Sequence, residues 1–291
     1  MRPFDFLAMV GICLIWAANA ILSRYVIAVA GIPPIFLSSA RFMLAAIVLL
    51  PFLHPLPRPI TPVIITGLLM GAGHFGLLLS GYGLISASLA AILLQTGVPM
   101  TAILSALILR ERIGWRRVLG IAVALTGVVV VLWRPGEMSA GLGSGLVLAA
   151  AASLALGSVL LKRLRGITPL RMQAWTATTS ILPLLLGSAT LEHGQFEKVE
   201  TNAVAFIGLL LFSALVVTVI SHTAYYRLLR LYDASIVSSL TLMFPLITVA
   251  LGIATLGETT TSNFWVGAAL AIAGVAVILS RPKRPVAIAS G

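Results

Sequence analysis

The chain has 291 residues, of which 59% are hydrophobic and only 9% charged, against about 25% charged in soluble domains, which excludes an ordinary soluble fold. The net charge of +11 comes from cations in short loops between apolar runs, with no nucleic-acid-binding motif around them, so it reads as membrane topology and not as a DNA or RNA partner. A single cysteine, Cys13, excludes an internal disulfide and a cysteine-based metal site.

Apolar runs of roughly 17–25 residues, each long enough to span a bilayer, fill nearly the whole length. They predict ten membrane helices, over roughly 7–29, 35–53, 60–83, 88–109 and 115–133 in the first half. In the second half they cover roughly 142–162, 169–190, 203–226, 235–256 and 263–280. The breaks fall at Pro33-Pro34, the proline-rich run Pro51 to Pro62, the Arg110 to Arg117 cluster and Arg134 to Gly141. They continue at Lys162 to Pro169, Leu191 to Asn202, and around Asp233 and Thr259. At the N-terminus, Arg2, an apolar stretch and Ala17-Ala18-Asn19-Ala20 imitate a cleavable signal peptide. Cleavage there would remove one helix and leave the halves unequal, so the membrane-helix reading is preferred.

The halves are copies of each other. From Pro99 the chain passes Glu111, Gly120, Gly127 and Arg134-Pro135; from Pro245 it passes Glu258, Gly267, Gly274 and Arg281-Pro282. Upstream, Ser86-Ala87-Ser88 stands opposite Asp233-Ala234-Ser235, and Gly31-Ile32-Pro33-Pro34 opposite Gly166-Ile167-Thr168-Pro169. Such self-similarity marks two units, roughly 1–135 and 136–291. Five helices per unit is an odd number, so the second unit enters the membrane inverted. The charges agree with cytoplasmic termini. Arg2, Arg58, Arg110, Arg112, Arg116, Arg117, Lys162, Arg163, Arg165, Arg171, Arg227, Arg230, Arg281, Lys283 and Arg284 then lie inside, and only Arg134 and Lys198 outside. The glutamate of the repeat persists from Glu111 to Glu258 while its flanking Arg110 and Arg112 give way to Gly257 and Thr259, as expected when one turn faces opposite sides. The expected fold is all-α and integral to the membrane: ten transmembrane helices as two inverted five-helix repeats.

Two such halves, with Trp16-Ala17-Ala18-Asn19 in helix 1, Arg41 in helix 2, and the pairs Pro99/Glu111 and Pro245/Glu258, resemble the EamA family of the drug/metabolite transporter superfamily. The resemblance covers essentially the whole chain. Among members it looks most like the YddG-type exporters, which would imply export of aromatic amino acids and related metabolites. The helix 1 pattern is poorly kept at Ala151-Ala152-Ser153-Leu154 in the second copy.

Inverted repeats place a substrate site near the bilayer midplane, between the halves. Trp115, Trp133 and Trp265 lie at helix ends and read as interfacial anchors. Trp16, Asn19, His74, Tyr82, Gln95, Trp175 and Tyr226 are the candidate lining residues, with Gln173, Ser221, His222 and Tyr225 beside them. Asn19 is equally compatible with a hydrogen bond between helices. Arg41 lies about two turns, on the order of 9 Å, below the outer surface, and a central intramembrane arginine costs at least about 2.5–3.5 kcal/mol. It must reach backbone carbonyls, an aqueous cavity or a substrate carboxylate, and carbonyl bonding between helices is the favoured reading. Arg24, nearer the helix end, is expected to snorkel. Gly71-Ala72-Gly73-His74-Phe75-Gly76 matches a dinucleotide fingerprint, but no strand precedes it, so its glycines are assigned to helix packing. Pro99 and Pro245 should bend helices 4 and 9.

An integral-membrane enzyme would need a carboxylate, histidine or metal cluster at one face. His54, His74, His193 and His222 are dispersed, so no catalysis, cofactor or metal is expected. A purely structural role leaves the midplane polar residues unexplained. The resemblance implies a plasma-membrane exporter, and because one chain holds both copies a monomer is expected to suffice. Since every acidic residue lies near a boundary, transport is expected to run on the substrate's own gradient. A proton-coupled antiporter using His74 or His222 is the alternative.

Overall fold

A computed structural model describes residues 2–110, 114–133, 141–164, 166–232, 237 and 240–279. Among these residues the chain is helical, with no strand. The spans are α1 (Pro3–Ala28), α2 (Pro34–Leu53), α3 (Thr61–Tyr82), α4 (Ala87–Leu109), α5 (Trp115–Leu132), α6 (Leu142–Leu161), α7 (Pro169–Leu191), α8 (Ala203–Tyr225), the shorter α9 (Met243–Leu256) and α10 (Ser262–Leu279). All but α9 are long and apolar enough to cross a bilayer. The ten-helix expectation holds to within a few residues at most ends. The repeat's Glu111 and the Asp233-Ala234-Ser235 segment lie outside the described residues.

Proline and glycine set the boundaries. Pro33 and Pro34 open α2, and Gly31 at φ +72° turns the chain into it, a conformation glycine adopts at no steric cost. Gly166 and Gly257, at φ +71° and +62°, do the same before α7 and after α9. Pro99 and Pro245, expected to bend their helices, each stand just after an interruption, whereas α7 continues through Pro183. Ahead of Pro99, α4 is interrupted at Gln95–Thr96. Ahead of Pro245, the chain turns at Thr241–Leu242 before α9 resumes at Met243. In both cases the break lies three to four residues upstream, where the missing proline N–H would have donated.

The third helix of each half carries a π-helical segment, Leu69–Gly76 in α3 and Phe212–Ser221 in α8. Backbone groups displaced by the change of register find side-chain partners. The Ala72 N–H donates to Ser180 Oγ at 2.8 Å, and the Leu69 carbonyl accepts from Ser153 Oγ at 2.8 Å. The dinucleotide-like glycines lie in this segment and serve packing. A Cβ on Gly71 would stand 2.9 Å from Thr176 Cγ2, and one on Gly67 would stand 2.6 Å from Thr179 Oγ1, so α3 and α7 approach through these positions.

Helices α5 and α10 run antiparallel in close contact. A Cβ on Gly127 would lie 2.6 Å from the Gly267 carbonyl, and one on Gly274 2.6 Å from the Gly120 carbonyl. The four glycines shared by the two copies thus form a close contact between the copies, Gly120 against Gly274 and Gly127 against Gly267. Trp115, Trp133 and Trp265 are 71%, 65% and 51% exposed at helix ends, as interfacial anchors should be.

Candidate functional site

One end of the bundle carries Arg2, Arg58, Lys162, Arg163 and Arg171; the other carries Glu192, Glu197 and Glu258. At the acidic end, two glutamates cross between halves to cap helix N-termini. Glu192, following α7, accepts from the Ile35 and Phe36 N–H groups at 2.7 and 2.8 Å, at the start of α2. Glu258, following α9, accepts from the Ala87 and Ser88 N–H groups at 2.7 and 3.0 Å, and from the Ser88 hydroxyl, at the start of α4. Each carboxylate meets unpaired backbone donors and the positive end of a helix dipole. The approach needs a glycine at 252, where a Cβ would sit 2.7 Å from Ser88 Oγ. Beneath these caps a core of Ile27, Ile32, Leu37, Leu79, Tyr82 and Phe206 fills this end of the bundle.

From under that core a cavity of about 600 Å³ runs toward the basic end, where it reaches Leu161, Leu164 and the exposed Thr168. Six of the eight expected residues line it: Trp16, Asn19, Arg41, His74, Tyr82 and Gln95. Gln173, His222 and Tyr225 line it too. Trp175 does not. It stands two positions beyond Gln173, about 200° around α7 at 3.6 residues per turn, and is buried with Val63 and Met172 against α3. The side chain of Tyr226 lies outside the described set.

The cavity has two chemically distinct regions. Toward its middle, Trp16 packs with ring centroids 5.6 Å from His222, 5.3 Å from Tyr225 and 6.5 Å from Phe244. Its Nε1–H donates to Ser221 Oγ at 2.9 Å, which fixes the indole plane. Deeper, at the sealed end, lie polar groups. His74 Nδ1 is 2.9 Å from the Ala150 carbonyl; a carbonyl only accepts, so Nδ1 carries the proton and Nε2 does not. Gln95 sits at the break in α4.

Arg41 differs from the sequence expectation. It is 3% exposed and among the described residues bonds to no carbonyl; its Nη2 donates to Thr218 Oγ1 at 3.1 Å. Its guanidinium carbon lies 4.3 Å from the centroid of Phe75, a cation–π stack. Nε is buried without a partner, as is Asn19 Oδ1. Burying an unsatisfied polar group costs about 1–3 kcal/mol, more when it is charged. Asn19 lines the cavity, and among the described residues its Oδ1 accepts no hydrogen bond from another helix. Arg24, expected to snorkel, donates instead to the Tyr82 carbonyl.

Thr218, Phe75 and Phe244 were missed by sequence reasoning. Phe75 and Phe244 carry no depth signal in an apolar chain. Thr218 did carry one: it is the lone hydroxyl between Ser213 and Ser221 in a run of Val, Leu and Ile. Among the described residues no group of three or more His, Cys, Asp or Glu could hold a metal ion.

The model of the EamA-like transporter family matches residues 4–133 and again 141–280. A protein of Salmonella typhimurium described as a probable amino-acid metabolite efflux pump is 31% identical over 284 residues, covering 94% of each chain. Its Escherichia coli counterpart of the same description is 28% identical over 277 residues, covering 91% of each. A probable terminal-alkyne amino-acid exporter of Streptantibioticus cattleyicolor is 30% identical over 202 residues, 68% of this chain and 65% of its own. A solved crystal structure superposes with a TM-score of 0.60 at 19% identity, over 95% of this chain and 96% of that one; at that identity the likeness speaks to fold alone.

Proposed function

Since the chain belongs to the EamA-like transporter family, with one family unit in each half, we propose that it exports amino acids or closely related metabolites from the cell by alternating access. The observation that carries this reading is the cavity: about 600 Å³, within the 300–1,000 Å³ typical of small-molecule sites, polar at its sealed end and aromatic in its middle. The relatives described as amino-acid metabolite efflux pumps support the substrate class. The aromatic wall of Trp16, Tyr225 and Phe244 favours flat or bulky side chains, aromatic amino acids among them.

Excess cations put the basic end in the cytoplasm. The cavity then opens inward while Glu192 and Glu258 hold the outer end shut, a shape that loads substrate from inside the cell. The second half is inverted relative to the first, and the unit boundary falls near residues 135 and 136, between α5 and α6. One chain holds both copies and so suffices for the pathway, in the plasma membrane.

Transport runs down the substrate's own gradient, because the acidic residues described within helices, Asp5 and Glu197 among them, lie at helix ends and not beside the cavity. A second reading has one specific support: His74 lines the cavity with Nε2 free of the Ala150 bond, so proton exchange through it would make the protein an antiporter. Counterflow of radiolabelled aromatic and aliphatic amino acids in proteoliposomes tests the class. Exchange of at least one, above empty liposomes and with no imposed pH gradient, is expected; no exchange by any member of the panel would refute the reading.

A further inference from the structure

We infer that Arg41 and Asn19 together form the docking site for the backbone end of a zwitterionic amino acid, carboxylate on Arg41 and ammonium on Asn19, with the side chain directed to the Trp16 cluster. The inference rests on the exporter reading above and assigns the atoms that would give it specificity.

Three observations support it. First, Arg41 is a buried cation that no carboxylate neutralises: among the described residues it makes no ion pair, and of its three nitrogens only Nη2 has a partner, the neutral Thr218 hydroxyl. Thr218 is itself oriented by donating to the Ser213 carbonyl at 2.8 Å, inside the π segment of α8, so it accepts from Arg41 in one fixed direction. With Phe75 stacked on one guanidinium face, the planar fork is held in place and its remaining N–H donors await an anion. Second, among the described residues Asn19 Oδ1 has no hydrogen-bond partner while Asn19 lines the cavity; an amide oxygen is a fitting acceptor for an ammonium. Third, the two groups share a depth. Asn19 lies nine residues before the end of α1 and Arg41 seven after the start of α2, roughly 14 and 10 Å below the sealed end at 1.5 Å per residue. Both line the same cavity, with the aromatic cluster of Trp16 one turn below Asn19. A charged head at the closed end and a bulky apolar tail toward the mouth is the orientation this layering imposes.

The test uses counterflow of labelled L-phenylalanine, and in parallel L-leucine, with matched competitors. For phenylalanine these are L-phenylalaninamide and phenethylamine, which lack the carboxylate, and 3-phenylpropanoate, which lacks the ammonium. In the wild-type protein each is expected to compete at least about tenfold more weakly than the parent amino acid, the minimum for losing a charge-assisted hydrogen bond. In Arg41→Gln the amide should compete as well as the amino acid, and Asn19→Leu should erase discrimination against 3-phenylpropanoate. Should Arg41→Gln fail to fold, Arg41→Lys supplies a charge-preserving variant, expected to keep transport with about tenfold weaker half-saturation. Amides competing within twofold of the amino acids in the wild type would overturn the docking site while leaving the exporter reading intact. Failure of every amino acid of the panel to exchange, phenylalanine and leucine included, would remove the exporter reading and this site with it.

Discussion

Replacing Glu258 with glutamine should unseal the acidic end of the bundle. The carboxylate accepts two backbone N–H bonds and one hydroxyl bond at the start of α4. Glutamine keeps one accepting oxygen, loses the charge and turns an N–H₂ toward donors. Hydrogen bonds to charged groups are worth about 1.5–3 kcal/mol each, so a net loss of about 2 kcal/mol is a moderate expectation. If the carboxylate's bonds exist only in the closed state, that loss multiplies the open-to-closed ratio by about 30 and raises an open population of about 1% to nearly a quarter. The single cysteine makes the measurement direct. In a Cys13→Ala background, a cysteine at Leu79, buried under the seal and lining the cavity, is titrated in intact cells with a membrane-impermeant maleimide. Slow labelling in the parent and a rate about 20-fold faster in Glu258→Gln, following the open population, are expected. A rate within twofold of the parent, in protein that remains folded, would refute the idea that this carboxylate holds the end shut.

Three further outcomes can be checked. Gly127→Val should lower thermal stability in detergent by an overpacking penalty of about 1–3 kcal/mol, because its side chain meets the Gly267 carbonyl, whereas Gly145→Ala, with nothing within 4 Å, should be neutral. Pro99→Ala and Pro245→Ala should restore backbone bonds across the breaks in α4 and α9 and slow counterflow several-fold without lowering the melting temperature; unchanged rates would make the breaks static bends. Flux should be insensitive to collapse of the pH gradient. Uphill accumulation driven by that gradient and lost in His74→Ala would instead identify this histidine as the coupling group.

Most of the architecture was legible because the bilayer constrains it so strongly. Span length, proline and glycine punctuation and the doubled Pro–Glu–Gly–Gly pattern reported the helices, the repeat and the breaks ahead of Pro99 and Pro245. Depth along a helix was legible too, and it selected Trp16, Asn19, His74 and Gln95. Azimuth was not. Trp175 and Gln173 share a depth and face different neighbours, and a helix apolar on all sides offers no moment to tell its faces apart. The π segments were equally silent, since their register is set by partners such as Ser180 and Ser153 on other helices. Arg41 was recognised as costly, but its partner was misassigned because a threonine hydroxyl 177 residues away leaves no mark near it in sequence.

The glycine contact between α5 and α10 has an ancestral logic. Gly120 meets Gly274 and Gly127 meets Gly267, so the two surfaces are the same surface, related by a pseudo-dyad: an isologous interface drawn inside a single polypeptide. Two separate antiparallel subunits would have used this face to dimerise. Here it is consumed internally and cannot recruit a second copy. Holding both copies in one chain also lifts a constraint. In a homodimer every substitution appears on both sides of the membrane at once, whereas in the fused chain each copy can diverge to suit its own side. The arginines around Glu111 and the threonines after Glu258 record that freedom.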